Sequence, residues 1–366
     1  MGRALELAAR GLYGASPNPM VGAVVLDAEG RLAGEGWHAA FGGPHAEVVA
    51  LDDAGGSARG GTLYVTLEPC AHHGKTPPCV DAILEAGVRR VVLALRDPTA
   101  TASGGSERLR AEGIEVHEGP GADQARILNR RWLRWARHKR PWVTMKAAVS
   151  LDGRVATREG HSQWITGEAA RERGLELREE HDAILVGVGT VLADNPRLTR
   201  RLGLNPVTGW RRIVLDSRLR VPSNAALVQS EPQATLIAHT PQATGENRRR
   251  LGDLGVELVE ITADDTGRVD LDALLDELAR RDVSSLLVEG GPAVHGSFAD
   301  TDLVDEAIFF VAPILIGGEA PAAVAGRGAP TLEMARRLRF ETVRHHGEDL
   351  EITAVRPGDE DVHGVD

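Results

Sequence analysis

The sequence predicts an α/β protein made of two successive α/β domains. Three observations carry that expectation. Strand-like and helix-like runs alternate over the first 120 residues, the alternation restarts after a basic helix ending near residue 140, and the composition is that of an ordinary globular chain. At 366 residues there is room for two or three domains with buried cores, and 42% apolar with 26% charged residues excludes disordered and fibrous classes.

Taken in order, helix 1–10 ends before Gly11, and strands follow over 21–27 and 32–37. Helix 45–53, strand 62–67 and helix 78–85 come next, the last with Gly87 just beyond it as a stop signal. Strand 88–95, helix 105–112 with Gly113 after it, and strand 114–117 complete the set. Over 124–140 the apolar residues Ala125, Leu128, Trp132 and Trp135 recur at three and four, the period of a helix with one buried face. Arg126, Arg130, Arg131, Arg134, Arg137, Lys139 and Arg140 cover the rest, either as a solvated face leading into a linker or as a phosphate-binding surface.

The boundary is placed at 137–141, giving domains 1–140 and 141–356. Strands are expected at 142–149, 183–187, 212–216, 235–238, 285–289, 306–311 and 349–355, and helices at 167–180, 271–281 and 293–299. The acidic, polar tail 357–366 is expected to be disordered.

Net charge is -11, unevenly shared: 17 basic and 16 acidic residues lie in 1–140, leaving 25 basic and 37 acidic residues beyond. An acidic whole excludes nonspecific nucleic-acid binding. No run approaches the roughly 18 to 20 apolar residues of a membrane span, and MGRALELAARG lacks the layout of a signal peptide. A cytoplasmic enzyme with no membrane or nucleic-acid partner is expected. Only Lys75, Lys139 and Lys146 are lysines among 42 basic residues, so a lysine that remains is of interest.

Cys70 and Cys79 are the whole cysteine supply, and so close a pair in a cytoplasmic chain points to metal or catalysis before a disulfide. His45-Ala46-Glu47 opens a helix and Glu68-Pro69-Cys70 ends a strand. One imidazole and two thiolates leave a fourth zinc position for water, whose pKa the metal lowers. Glu47 lies close enough to move that water's proton to a leaving amine without being a ligand, the H-x-E…P-C arrangement of zinc deaminases. Eight residues separate the cysteines where a nucleoside deaminase has P-C-x-x-C. A closed Cys2His2 site using His72 or His73, or a site with no metal at all, is the alternative.

In the second half, residues 144–167 read as a buried strand, a turn at Asp152-Gly153 and a loop before a helix. No G-x-G-x-x-G is present, so a standard Rossmann site is not supported. Glycines at 187–189 and 290–291 stand between strands and helices, as tight turns or as anion sites.

Pro17-Asn18-Pro19-Met20-Val21-Gly22, His45-Ala46-Glu47 and the run from Thr66-Leu67-Glu68-Pro69-Cys70 to Thr76-Pro77-Pro78-Cys79 closely resemble the RibD family of bifunctional riboflavin biosynthesis proteins. The long cysteine insert is that family's own variant. M-K-x-A-x-S-L-D-G, S-Q-W-I-T, D-A-I-L-V-G-x-G-T-V-x-A-D-x-P-x-L-T and V-E-G-G-P extend the resemblance to about residue 355. It implies a cytidine-deaminase-like zinc domain followed by a dihydrofolate-reductase-like domain using NADPH, small phosphoribosylaminopyrimidine substrates, and a capacity for homo-oligomers.

By this resemblance His45, Cys70 and Cys79 bind zinc, Glu47 shuttles protons, Asn18 bonds the pyrimidine and Lys75 the ribose phosphate. Asn18 would equally suit a plain turn between prolines, and Lys75 a solvated surface. Asp97-Pro98-Thr99-Ala100-Thr101-Ala102-Ser103 departs from the family's D-P-N-P-x-V. In the second domain Ala148, Trp164, Thr190, Asp194, Ser217 and the segment Gly291, Pro292, Ala293, Val294, His295, Gly296, Ser297 would contact NADPH. Ser162, Arg178, Leu198, Arg201 and Glu289 would contact substrate, the arginines pairing with phosphate and Glu289 accepting hydrogen bonds. Trp164 can cover a planar ring or pack in a core. No side chain stands out as a proton donor in this domain.

Overall fold

A computed structural model describes residues 1–72, 77–205 and 210–358, and these form two compact units that part between Lys139 and Arg140. The expectations for Lys75, His73 and most of the tail, from residue 359 on, lie outside the described residues.

The first unit runs α1 (Gly2–Ala9), β1 (Gly22–Leu26), β2 (Leu32–Trp37), α2 (Ala46–Ala54), β3 (Thr62–Leu67), α3 (Cys79–Ala86), β4 (Arg90–Leu95), α4 (Gly105–Ala111), β5 (Glu115–Glu118) and α5 (Ala122–His138). Its sheet has the order β2-β1-β3-β4-β5, with β1 antiparallel to β2 and β3 and the rest parallel. Parallel neighbours need crossover helices, which cover both faces and explain why β4 is apolar after Arg90 and why both strands are mostly buried. Ala23, Val25, Leu63, Val65, Val91 and Leu93 form the core with Ala46 and Ala50 of α2 and Trp132 and Leu133 of α5. The buried stripe of α5 is Ala125, Asn129, Trp132, Leu133 and Ala136; of the expected 125, 128, 132 and 135, Ala125 and Trp132 belong to it, and Leu128 and Trp135 are half-buried beside it. One of its five members is polar.

The second unit runs β6 (Trp142–Ser150), α6 (Glu168–Glu179), β7 (Ala183–Gly187), α7 (Val188–Asp194), β8 (Arg211–Leu215), α8 (Ala226–Gln229), β9 (Thr235–His239), α9 (Gly245–Gly252), β10 (Glu257–Glu260), α10 (Leu271–Arg280), β11 (Ser285–Val288), α11 (Pro292–Asp300), β12 (Glu306–Ala312), β13 (Arg339–His346) and β14 (Asp349–Val355). They build one sheet of order β10-β9-β8-β7-β11-β6-β12-β14-β13, parallel from β10 to β12 and antiparallel thereafter. β6, which carries the M-K-x-A-x-S motif, lies in the middle of it. Its two faces are packed by separate clusters, one around Leu274, Leu278 and Phe298 and one around Val188, Leu219 and Leu227. α7 follows the strand at the 187–189 glycines, as their placement between a strand and a helix implied, whereas α8, α9, β10 and β13 have no counterpart among the sequence expectations. No helix among the described residues is long and apolar enough to cross a membrane.

Candidate active sites

In the first unit the ends of β3, α2 and α3 converge. His45 is the residue before α2, Cys79 opens α3, and Cys70 follows β3 by three residues. His45 Nδ1 lies 3.1 Å from Cys79 Sγ and 3.6 Å from Cys70 Sγ, and the three donor atoms all fall within 4.8 Å of one another. Ligands held at zinc–sulfur and zinc–nitrogen distances in a tetrahedron stand about 3.5 Å apart, so the set fits the metal. Among the described residues no other group of three fits in this way, and His72 is not part of it. The Cys79 N–H, at the start of α3, donates to Cys70 Sγ at 3.3 Å. The contact with Cys79 and the hydrogen bond to His45 lower the Cys70 thiol toward its charged form, while the same contact and burial raise Cys79, so the two thiols share one negative charge between them.

Glu47, in the first turn of α2, is buried and lines the same cavity as His45 and Cys70. Burial pushes its carboxyl up to about 7 against the pull of His45. The cavity measures about 320 Å³. Asn18, Phe41, Glu68, Asp97, Thr99 and Trp132 are in its walls.

Four residues at or behind this cavity were given no functional role from the sequence. His38, just past β2, is buried, with Nδ1 at 3.0 Å from the Pro44 carbonyl and Nε2 at 3.1 Å from Asn18 Nδ2. Burial lowers its pKa, which favours the neutral ring. A carbonyl can only accept, so Nδ1 donates and Nε2 accepts from the Asn18 amide, leaving Asn18 Oδ1 as the free acceptor. Glu68 is also buried and accepts from the N–H groups of Asp97 (3.1 Å) and Ser106 (2.9 Å), holding the loop that departs from the family pattern. Asn129 and Trp132 come from α5. No local pattern marks His38, Glu68 or Asn129, because the partner of each lies elsewhere in the chain, and the three-and-four spacing placed Trp132 on a buried face without pointing to the cavity.

In the second unit the expected residues assemble in part. Arg178 of α6 and Glu289, just past β11, form a two-point pair, with Nε donating to Oε1 at 3.0 Å and Nη2 to Oε2 at 2.8 Å. Burial alone would raise the Glu289 carboxyl, but Arg178 and then Lys146 outweigh it and hold it at about 2. Lys146 of β6 is thus one of the rare lysines, placed where its charge acts on Glu289; its Nζ also lies 5.6 Å from the ring centre of Phe310.

Thr190 Oγ1 lies beside Gly291 at the start of α11. A Cβ on Gly187 or Gly290 would stand 2.7 or 2.5 Å from the Val294 side chain, so these glycines let α11 approach the ends of β7 and β11. That close approach is a packing reason in addition to the turn and anion roles. His295 is buried with Nδ1 3.1 Å from Ala323 O and Nε2 3.4 Å from Val288 O, so its ring faces carbonyls and only its backbone is left for a ligand. Leu198 likewise has its side chain in the core. Trp164 is 69% exposed, with the Arg171 guanidinium 4.8 Å from its ring centre. The Arg201 N–H donates to Glu179 Oε1 at 3.1 Å, which directs the side chain outward. Ser162 and Ser217 are half-buried, Asp194 is exposed, and Ala148 is half-buried against the cluster around Phe310. Among the described residues no hydrogen bond or ion pair joins Ser162, Asp194 or Ser217 to the Arg178–Glu289 pair.

Two family models match the chain: "Cytidine and deoxycytidylate deaminase zinc-binding region" over 1–95, and "RibD C-terminal domain" over 141–352. Riboflavin biosynthesis protein RibD of Bacillus amyloliquefaciens is 42% identical over 357 residues, covering 97% of this chain and 95% of the relative. The protein of that name from Escherichia coli strain K12 is 40% identical over 362 residues, covering 96% of each. Among solved structures, Acinetobacter baumannii RibD aligns at a TM-score of 0.88 and 37% identity, covering 97% of both chains. A diaminohydroxyphosphoribosylaminopyrimidine deaminase/5-amino-6-(5-phosphoribosylamino)uracil reductase from Thermotoga maritima aligns at 0.81 and 34%, again covering 97% of both.

Proposed function

The chain belongs to the RibD family and is a bifunctional deaminase and NADPH-dependent reductase of riboflavin biosynthesis, and on that premise we propose how its residues divide the work. Residues 1–140 form the deaminase domain and 141–356 the reductase domain. The first removes the 2-amino group of 2,5-diamino-6-(5-phosphoribosylamino)pyrimidin-4(3H)-one as ammonia. The second reduces the ribosyl chain of the resulting 5-amino-6-(5-phosphoribosylamino)uracil to ribityl.

His45, Cys70 and Cys79 hold zinc, which when bound lowers the pKa of a water toward neutrality. Glu47 carries the proton from water to the departing amine, working from a buried position beside the ligands. Asn18 offers Oδ1 to a pyrimidine N–H, its amide turned that way by His38. Lys75 meets the phosphate.

In the reductase, NADPH supplies the hydride. Thr190 and the start of α11 receive its phosphates, Trp164 covers one of its rings, and Ala148, Asp194 and Ser217 complete the cofactor's surroundings. Ser162, Arg178, the Leu198 backbone, Arg201 and Glu289 receive the substrate. Lys146 and Arg178 place two positive charges against the one negative charge of Glu289, a balance that suits a phosphate or an oxygen gaining charge during reduction. We place the enzyme in the cytoplasm, where two unpaired thiols stay reduced.

The observation that carries this reading is the His45–Cys70–Cys79 set, with His45, Cys70 and buried Glu47 lining one cavity. Zinc-loaded protein given the diaminopyrimidine phosphate and NADPH is expected to release ammonia and consume NADPH in equal amounts. Ammonia without NADPH loss would remove the reductase assignment, and neither signal would remove both.

A further inference from the structure

The deaminase family model ends at residue 95, and α5 lies beyond it. The helix nevertheless places one polar side chain in the core. Asn129 is 1% exposed among Ala125, Trp132, Leu133 and Ala136. A buried primary amide needs partners for both its oxygen and its nitrogen. Asn129 directs both to a single residue: Oδ1 accepts from the Met20 N–H at 2.8 Å and Nδ2 donates to the Met20 carbonyl at 2.9 Å.

That exchange is what a neighbouring strand residue would make across an antiparallel ladder. Met20 lies two residues before β1, and its backbone is short of the ladder that begins at Gly22. The Asn129 amide takes the place of the missing strand. Asn18, Pro19 and Val21, on either side of Met20, all line the deaminase cavity. The wall is therefore held at two points, its backbone by Asn129 and the Asn18 amide by His38. One turn along α5, Trp132 reaches the same cavity.

We propose that Asn129 is a positioning residue of the deaminase, fixing through Met20 the backbone that presents Asn18 to the pyrimidine, and that α5 is thereby part of this active site. The inference rests on the reading of Asn18 as a pyrimidine-binding residue.

The test uses the full-length, zinc-loaded protein with Asn129→Leu, the smaller Asn129→Ala, Asn18→Ala and the double variants. Ammonia release gives KM and kcat, zinc content is measured on the same samples, and NADPH oxidation with the aminouracil phosphate reports on the rest of the chain. Each Asn129 variant is expected to raise the deaminase KM roughly tenfold with a smaller change in kcat, since a misplaced binding wall weakens substrate more than it alters the zinc chemistry. Zinc content and reductase rate stay at wild-type levels. In the Asn18→Ala background the Asn129 substitutions add little, because both act through one contact.

Effects that multiply in the double variants would overturn the proposal. So would a KM that stays at wild type in both Asn129 variants while Asn18→Ala raises it. Zinc lost in step with activity in both variants would assign Asn129 to folding alone. A wild-type KM in Asn18→Ala would instead remove the Asn18 reading itself, and this inference with it.

Discussion

The Arg178 guanidinium and the Glu289 carboxylate meet side by side through two hydrogen bonds of 3.0 and 2.8 Å, with only 16% and 11% of the two side chains exposed. A planar fork against a carboxylate is the strongest form of this contact. It also means that these two residues are each other's first partner. A phosphate arriving at Arg178 shares the guanidinium with Glu289, which keeps its two N–H bonds in place.

This pair makes acid stability depend on Glu289. Its folded carboxyl is held at about 2 against an ordinary value of 4.5. A depressed carboxyl contributes stability that is present in full above about pH 4.5 and is lost as the pH falls toward 2, about 3 kcal/mol in all. Glu289→Gln lacks this contribution and leaves Arg178 without its charge partner. The difference in Tm between wild type and Glu289→Gln is therefore expected to be largest at pH 5–7 and to shrink below pH 4.5. Curves that stay parallel down to pH 3 would show that the pair does not set this response.

Zinc and proton transfer separate by residue. Cys70→Ser and Cys79→Ser each remove a thiolate from the set that holds the metal, and are expected to lower bound zinc and ammonia release together. Glu47→Gln keeps the shape of a side chain that is not in that set, so zinc stays at one per chain while ammonia release falls by roughly 10²–10⁴-fold. NADPH oxidation with the aminouracil phosphate is unchanged in all three. Metal analysis with the two assays on each variant checks this, and a Glu47→Gln enzyme that still releases ammonia at the wild-type rate would end the assignment.

How much of this was legible in the sequence depended on whether a residue's meaning is carried by its own type. Histidine, cysteine and glutamate at 45, 47, 70 and 79 name their chemistry by themselves, and the regular α/β alternation named the fold class. Asn129 carried no such signal. In an amphipathic helix a polar residue reads as part of the solvated face, and the stripe was drawn through Leu128 and Trp135; only Met20, 109 residues away, explains the amide. Glu68 was likewise unreadable, because the N–H groups it accepts from lie 29 and 38 positions on. β13 was missed for a different reason. It is an edge strand whose side chains are mostly exposed, so RFETVRHH has little apolar alternation to reveal it. The arginine-rich α9 was missed similarly, with Leu251 its one buried residue.

Trp164 is an exposed ring held in place by a cation. Arg171 stands over it at 4.8 Å and anchors itself by donating from Nη1 to Thr166 O at 2.9 Å. At an exposed site such a contact contributes about 0.5–1 kcal/mol. Arg171→Gln is therefore expected to weaken NADPH binding by about two- to fivefold, with Trp164→Ala costing more. Titration of NADPH fluorescence gives both values. Equal affinity in wild type and Arg171→Gln would mean that the indole holds its position unaided.

Thr99 stands where the family pattern has Asn, and it keeps the loop folded by its own means. Its hydroxyl donates to Asp97 Oδ1 at 2.6 Å, its N–H donates to the same oxygen at 2.8 Å, and its hydroxyl oxygen accepts from the Ala102 N–H at 3.3 Å. Beneath it, Glu68 takes the N–H groups of Asp97 and Ser106, so the loop is fastened at two levels. Asp97, Thr99 and Ala102 all line the deaminase cavity, and a loose loop would disturb substrate before it disturbed zinc. Thr99→Val keeps the volume and removes the hydroxyl, leaving Asp97 one donor short and the Ala102 N–H without its acceptor, a loss of about 1–2 kcal/mol. The deaminase KM is expected to rise about five- to thirtyfold with zinc content and reductase rate unchanged, while Thr99→Ser and Thr99→Asn, which retain a polar side chain, stay within about threefold of wild type. If Thr99→Val matches wild type, the Glu68 bonds alone hold the loop, and Glu68→Gln becomes the substitution that moves KM.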